Sequence, residues 1–114
     1  MGMKERQMER VNRYWEFIDS TRILPLGDRV QAVLSRATMG MTVSHLGRMI
    51  GTTRTIAEGI LHNLEKHGLV EVYRHRAPLK DNQEIVKKMW RLTEKGRVAA
   101  ADIVFGLAEG KQAA

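Results

Sequence analysis

The sequence predicts an α+β fold, mostly α, in which helices are followed by a β-hairpin and one more helix. Three observations predict it. Blocks of apolar residues at three- and four-residue spacing recur between Met3 and Leu64, the period of helices buried on one side. After Gly68 the pattern changes to two short runs rich in β-branched and aromatic residues, separated by a stretch holding Pro78, Asp81 and Asn82; that is the composition of two strands and a turn. At Thr93 a helical pattern resumes.

From Met3 to Ser20 the residues Met3, Gln7, Met8, Val11, Tyr14, Trp15 and Ile18 recur at helical intervals, with Lys4, Glu5, Arg6, Glu9, Arg10 and Arg13 between them, an amphipathic helix. Pro25 and Gly27 interrupt the period between Thr21 and Asp28 and mark a connection. Asp28 is expected to cap a helix whose buried stripe is Val30, Val33, Leu34 and Ala37, ended by Thr38 to Met41. Thr42 then caps a short helix built on Val43, Leu46 and Ile50, and Gly51 lets the chain turn sharply. Thr52 or Thr53 caps the next helix. Its apolar stripe is Ile56, Ala57, Ile60, Leu61 and Leu64, and Gly68 stops it. Two short helices about a glycine turn form a helix-turn-helix, here with Thr53, Arg54, Thr55, Glu58 and His62 on the polar face of the second.

Leu69 to Arg76, with Val70, Val72 and Tyr73, and Ile85 to Leu92, with Val86, Met89 and Trp90, favour strands. The turn between them spans 77–84, and Trp90 is expected to pack beneath the hairpin. Thr93, with Glu94 beyond it, caps a last helix carrying Val98, Ala101, Ile103, Val104, Phe105 and Leu107; residues 110–114 are expected to fray. The chain therefore reads as a single domain over 1–114, with an N-terminal helix in 1–20, a core in 28–92 and a C-terminal helix in 93–109.

With 114 residues the chain can close one modest core. Its net charge of +6 and isoelectric point near 10.1 suit a polyanionic partner, although membrane-surface binders share that balance. The absence of cysteine excludes disulfides, thiolate metal clusters and a cysteine nucleophile, and fits a reducing cytoplasm. No apolar run approaches the roughly 20 residues of a membrane span, and the start of the chain lacks the apolar core of a signal peptide. Catalysis is not expected, since there is neither a G-x-S-x-G elbow nor a glycine-rich phosphate loop. Nor is a metal or other cofactor. His62 and His67 are five apart and face differently, while His45 and His75 lack companions at ligand spacing. Tyr14, Trp15, Phe17, Trp90 and Phe105 are too scattered to make a stacking platform for single strands.

The order helix, helix-turn-helix, hairpin, helix is the winged-helix arrangement. The block Leu64-Glu65-Lys66-His67-Gly68-Leu69-Val70 resembles the L-E-x-x-G-L-V junction between recognition helix and wing in bacterial regulators of the MarR/PadR type. Arg91-Leu92-Thr93-Glu94-Lys95-Gly96-Arg97 resembles their R-L-T-x-x-G-R exit from the wing. The likeness covers about 28–97. It implies a sequence-specific, double-stranded-DNA-binding transcriptional regulator, a homodimeric repressor on an inverted repeat, working in the cytoplasm at the nucleoid.

The resemblance also implies roles for particular residues. The helix from Thr53 to His67 would enter the major groove. Thr52 and Thr53, with the free N–H groups at the helix start, suit a phosphate oxygen. Arg54 can donate two bonds to guanine, Glu58 can accept from cytosine N4, Thr55 can touch a thymine methyl or a phosphate, and His62 shares their face. The bland alternative is that Arg54 and Glu58 pair with each other on a solvated surface. Arg74, Arg76, Lys80, Lys87 and Lys88 would grip the backbone or minor groove from the wing, Arg76 and Lys80 from beside its tip. Val11, Trp15 and Ile18, with Val104 and Phe105, would form a subunit interface; Trp15 and Phe105 equally suit a core, and a monomer with both helices folded back is the alternative. Gly59, mid-helix, costs about 1 kcal/mol relative to alanine. It reads as room for a close approach or as drift on an exposed face. The flanking helices are short for a ligand-sensing member, so the effector is left open. Plasmid or phage DNA maintenance and a protein-interaction module use the same fold and remain alternatives.

Overall fold

A computed structural model of the chain describes residues 2–110. Lys111 to Ala114, expected to fray, lie outside the described residues. The elements run α1 (Met3–Ser20), a single turn of 3₁₀ helix at Thr21–Ile23, α2 (Leu26–Leu34), α3 (Val43–Ile50), α4 (Arg54–Lys66), β1 (Val70–Pro78), a tip turn at Lys80–Asn82, β2 (Glu84–Leu92) and α5 (Glu94–Ala108). This is an α+β winged helix.

Threonine caps set three of the helices. Thr42 accepts a hydrogen bond from the His45 N–H, Thr53 from that of Ile56, and Thr93 from that of Gly96. Each satisfies one of the donors a helix start leaves open. The cap of α4 is thus Thr53 rather than Thr52. α2 begins two residues before the expected Asp28 cap. Pro25, at φ −55°, holds the N-cap position without a side-chain bond, and Asp28 falls inside the first turn, where its carboxylate faces the positive end of the helix. The helix ends at Leu34, so Ala37 joins the core from the loop, partly buried.

The two sequence blocks that bracket the hairpin meet in space. At the end of α4 the N–H of Gly68 donates to Glu65 O at 2.9 Å and that of Leu69 to Leu64 O at 3.0 Å, a Schellman closure that needs the left-handed φ of +72° at Gly68. From the other block, Thr93 Oγ1 donates to Gly68 O at 2.6 Å and Lys95 Nζ to His67 O at 2.9 Å. The Thr93 N–H donates to Leu69 O at 3.0 Å. Gly96 lies so close that a Cβ there would sit 1.8 Å from Leu69 O; no other residue fits.

β1 and β2 pair antiparallel in one register from Val70 opposite Leu92 to Pro78 opposite Glu84. The strands are longer than the sequence pattern indicates, because Asp81 and Asn82 take left-handed φ of 64° and 60° and reverse the chain tightly, residue types that tolerate that region. Met41 adds a short third rung, exchanging both backbone bonds with Trp90 at 2.8 Å. The core gathers Val30, Val33, Leu34, Leu46, Ile50, Ala57, Leu61, Leu64, Val70 and Leu92 around Trp90, which is 1% exposed at the root of the wing.

α1 is held differently. Ile18, expected at a subunit contact, is 4% exposed within the chain's own core and is not available to a partner; it lies in the last turn of α1, where the helix meets the body. Tyr14 and Phe17 are partly buried beside it. Burial raises the Tyr14 hydroxyl above its ordinary pKa. The remainder of α1 stands off, with Met8, Val11 and Trp15 all more than half exposed. On α5 only Gly96 and Ala100 are buried, while Val98 and Phe105 face outward. Trp15 and Phe105 are therefore not core residues. The radius of gyration, 15.6 Å, exceeds the roughly 13 Å of a compact chain of this length, as a projecting α1 requires.

Candidate nucleic-acid interface

The phase of α4 decides what it presents. Ala57, Leu61 and Leu64 turn inward and are buried. At about 100° per residue the opposite side carries Thr55, Gly59, Asn63 and Lys66, with Ile56 beside them, all exposed. Ile56, expected in the buried stripe, is 47% exposed: it lies about 100° round the helix from Ala57, on the side away from Leu61.

Arg54 and Glu58 lie on the flank of α4 that faces the wing. Together with Thr42, Val43, Ser44, Lys87, Lys88 and Trp90 they line a cleft of about 350 Å³ between the start of α3, the start of α4 and β2. Among the described residues no ion pair joins Arg54 to Glu58. Glu58 approaches His62 instead, 3.7 Å from Nε2, while Glu65 lies 3.5 Å from Nδ1. The His62 ring stands edge-on to Trp90, 5.3 Å between centroids and at 90°. His62 thus faces two carboxylates and the root of the wing rather than open solvent alone.

Three cations share one face of the hairpin. Arg74 and Lys88 are direct cross-strand partners and Arg76 pairs with Val86 next to them. Like charges opposite one another destabilise a sheet, and an anion laid along this face would relieve the repulsion. Lys88 Nζ also lies over the Trp90 ring at 5.3 Å, which places its charge at the cleft. Arg76 approaches Glu84 at 3.9 Å, both side chains mostly exposed, a pairing of small worth. On the opposite face Lys87 pairs with His75, and Arg91 is held by Glu71 at 2.9 Å and stacks on Tyr73 at 4.3 Å. Lys80 sits in the tip turn, exposed.

The predicted positions therefore fall into three groups. Arg54, Glu58 and Lys88 converge on the cleft, which Lys87 borders from the other face of β2, with Thr52 and Thr53 at the turn before α4. Arg74, Arg76 and Lys80 follow the wing outward. Of the helix residues named from the sequence, Thr55 belongs to the outermost stripe of α4, and His62 lies at its wing-side edge. Asn63 and Lys66, which sequence reasoning passed over, lie there too. Counting helical phase from Ala57, Leu61 and Leu64 would have found them.

Among the described residues, no helix is long and apolar enough to cross a membrane. The sequence matches no known family model and no curated protein. Among solved structures, an apo-form mutant of Lactococcus lactis ZitR has a similar fold, with a TM-score of 0.62 and 15% sequence identity, covering 96% of this chain and 76% of that one. The likeness is one of fold.

Proposed function

We propose that the protein is a transcriptional regulator that binds double-stranded DNA in a sequence-specific way, as a homodimeric repressor on an inverted repeat. The observation that carries this reading is the cleft between α4 and the wing. Arg54 and Lys88 meet there at the N-terminal end of α3, so two cations and a helix dipole face one space beside an exposed helix, with Lys87 next to it on the other face of β2. That suits one strand of the phosphate backbone, with α4 in the adjoining major groove. Arg54 then serves a phosphate more readily than a guanine edge. Glu58 shares the cleft with those cations and is less suited to cytosine than the sequence alone suggests. Thr52, Thr53 and Thr55 border the groove around the start of α4, and His62 supports α4 against Trp90. Arg74, Arg76 and Lys80 extend the track along the wing.

Dimerisation is supported by the uncovered apolar residues of α1, Met8, Val11 and Trp15, and of α5, Val98 and Phe105, with half-buried Val104 between. A two-fold pair would set two α4 helices in successive major grooves, about 34 Å apart. Such a regulator works at the nucleoid, in the cytoplasm.

Anisotropy titrations against duplexes selected from a random pool test the reading. Affinity should fall by orders of magnitude between about 50 and 200 mM salt, and Lys88→Ala or Lys80→Ala should weaken all duplexes alike and reduce the salt slope by about 1 each. A pool that yields no enriched sequence, with binding insensitive to salt, overturns it.

A further inference from the structure

We infer that base reading belongs to the exposed side of α4 turned away from the wing, the line of Ile56, Gly59 and Asn63, and that it selects adjacent A·T base pairs at the centre of each half-site. The inference rests on the proposed binding of double-stranded DNA and names what that binding recognises.

Each residue of the stripe has a feature that the chain's own packing leaves unexplained. Gly59 lies mid-helix, where glycine is about 1 kcal/mol less favourable than alanine, yet a Cβ built there meets nothing within 4 Å. No contact within the described protein requires glycine, so the missing side chain makes sense toward something outside that approaches closely. Ile56 is an apolar β-branched side chain turned to solvent at 47% exposure. It lies three residues before Gly59, on the same side. Asn63 is exposed and, among the described residues, its amide has no hydrogen-bond partner. One turn beyond Gly59, it completes the line.

These are the groups that A·T pairs take in the major groove. An asparagine amide donates to adenine N7 and accepts from adenine N6, both at once, and an aliphatic side chain packs against the thymine C5-methyl. The stripe from Ile56 to Asn63 rises about 10 Å along the helix, the height of roughly three base pairs. Gly59, between them, lets the helix axis sink far enough for both ends to reach the base edges. The flank bearing Arg54 and Glu58 is turned to the wing cleft, and His62 is turned to Trp90, so neither competes for this position.

The test is selection from a random duplex pool with the wild type, Asn63→Ala, Ile56→Ala and Gly59→Ala, followed by titration of the enriched site in two forms, one carrying thymine and one carrying deoxyuridine, which lacks the C5-methyl. All three positions are exposed, so the variants should fold, and circular dichroism checks that they do. The wild type should enrich A·T pairs within a three-pair window and prefer thymine to deoxyuridine by about 3-fold. Asn63→Ala should lose discrimination at one adenine by on the order of 10- to 100-fold. Ile56→Ala should abolish the thymine preference, and Gly59→Ala should weaken the enriched site more than random duplex. Enrichment of an unchanged site by both Asn63→Ala and Ile56→Ala overturns the inference while leaving DNA binding intact. A wild type that enriches nothing removes the reading beneath it as well.

Discussion

The winged body and the N-terminal helix are held in contrasting ways. From α2 to α5, each turn is closed by a named contact: Thr93 bonds both to its own helix and to the end of α4, Gly96 lies against Leu69 O, and Met41 locks onto Trp90. α1 has one fully buried residue, Ile18, at its last turn. The difference teaches that the folded body does not depend on most of α1, whose apolar face is left for the proposed association. Substitutions in the body should change folding, and those on the outer faces of α1 and α5 should change assembly.

Gly96→Ala offers the largest expected effect, because its Cβ would overlap the Leu69 carbonyl; it should lower stability by about 3 kcal/mol or more, read as the urea midpoint. An alanine there that unfolds like the wild type breaks the contrast at its strongest point. Thr93→Ala should cost about 1–2 kcal/mol, since it removes the N-cap of α5 and the bond to Gly68 O together. Val11→Asp and Trp15→Asp sharpen the other side. In dilute solution they should shift unfolding by no more than about 0.5 kcal/mol, while sedimentation velocity should show the dimer giving way to monomer. If they destabilise the monomer as much as Thr93→Ala does, α1 is part of the body after all. Arg76→Ala should have the smallest effect on folding, within about 0.5 kcal/mol, because both it and its partner Glu84 are mostly exposed.

What could be read from the sequence follows the range of the physics. The caps at Thr42 and Thr93 and the stops at Gly51 and Gly68 are decided within a few residues and could be placed without a structure, and the cap of α4 could be placed to within Thr52 or Thr53. The hairpin and the burial of Trp90 could be anticipated from residue type. The errors lie where the choice is made by distant contacts. Pro25 rather than Asp28 starts α2 because the preceding turn delivers the chain there. Ile18 is buried and Trp15 is not because only the last turn of α1 meets the body. Ile56 has the residue type of a core position, but its phase on α4 turns it to solvent. The polar residues of α4 do not make one face: Arg54 and Glu58 lie on the wing side and Asn63 on the exposed side away from it.

The central claim is that the exposed side of α4 and the cationic wing together meet duplex DNA. Amide chemical-shift mapping of the labelled protein, titrated with an enriched duplex, tests it most directly. The account predicts that the perturbed amides cluster in α4 and along the wing, with those of α1 quiet. Perturbations gathered on α1 and the outer face of α5, with α4 silent, would contradict it.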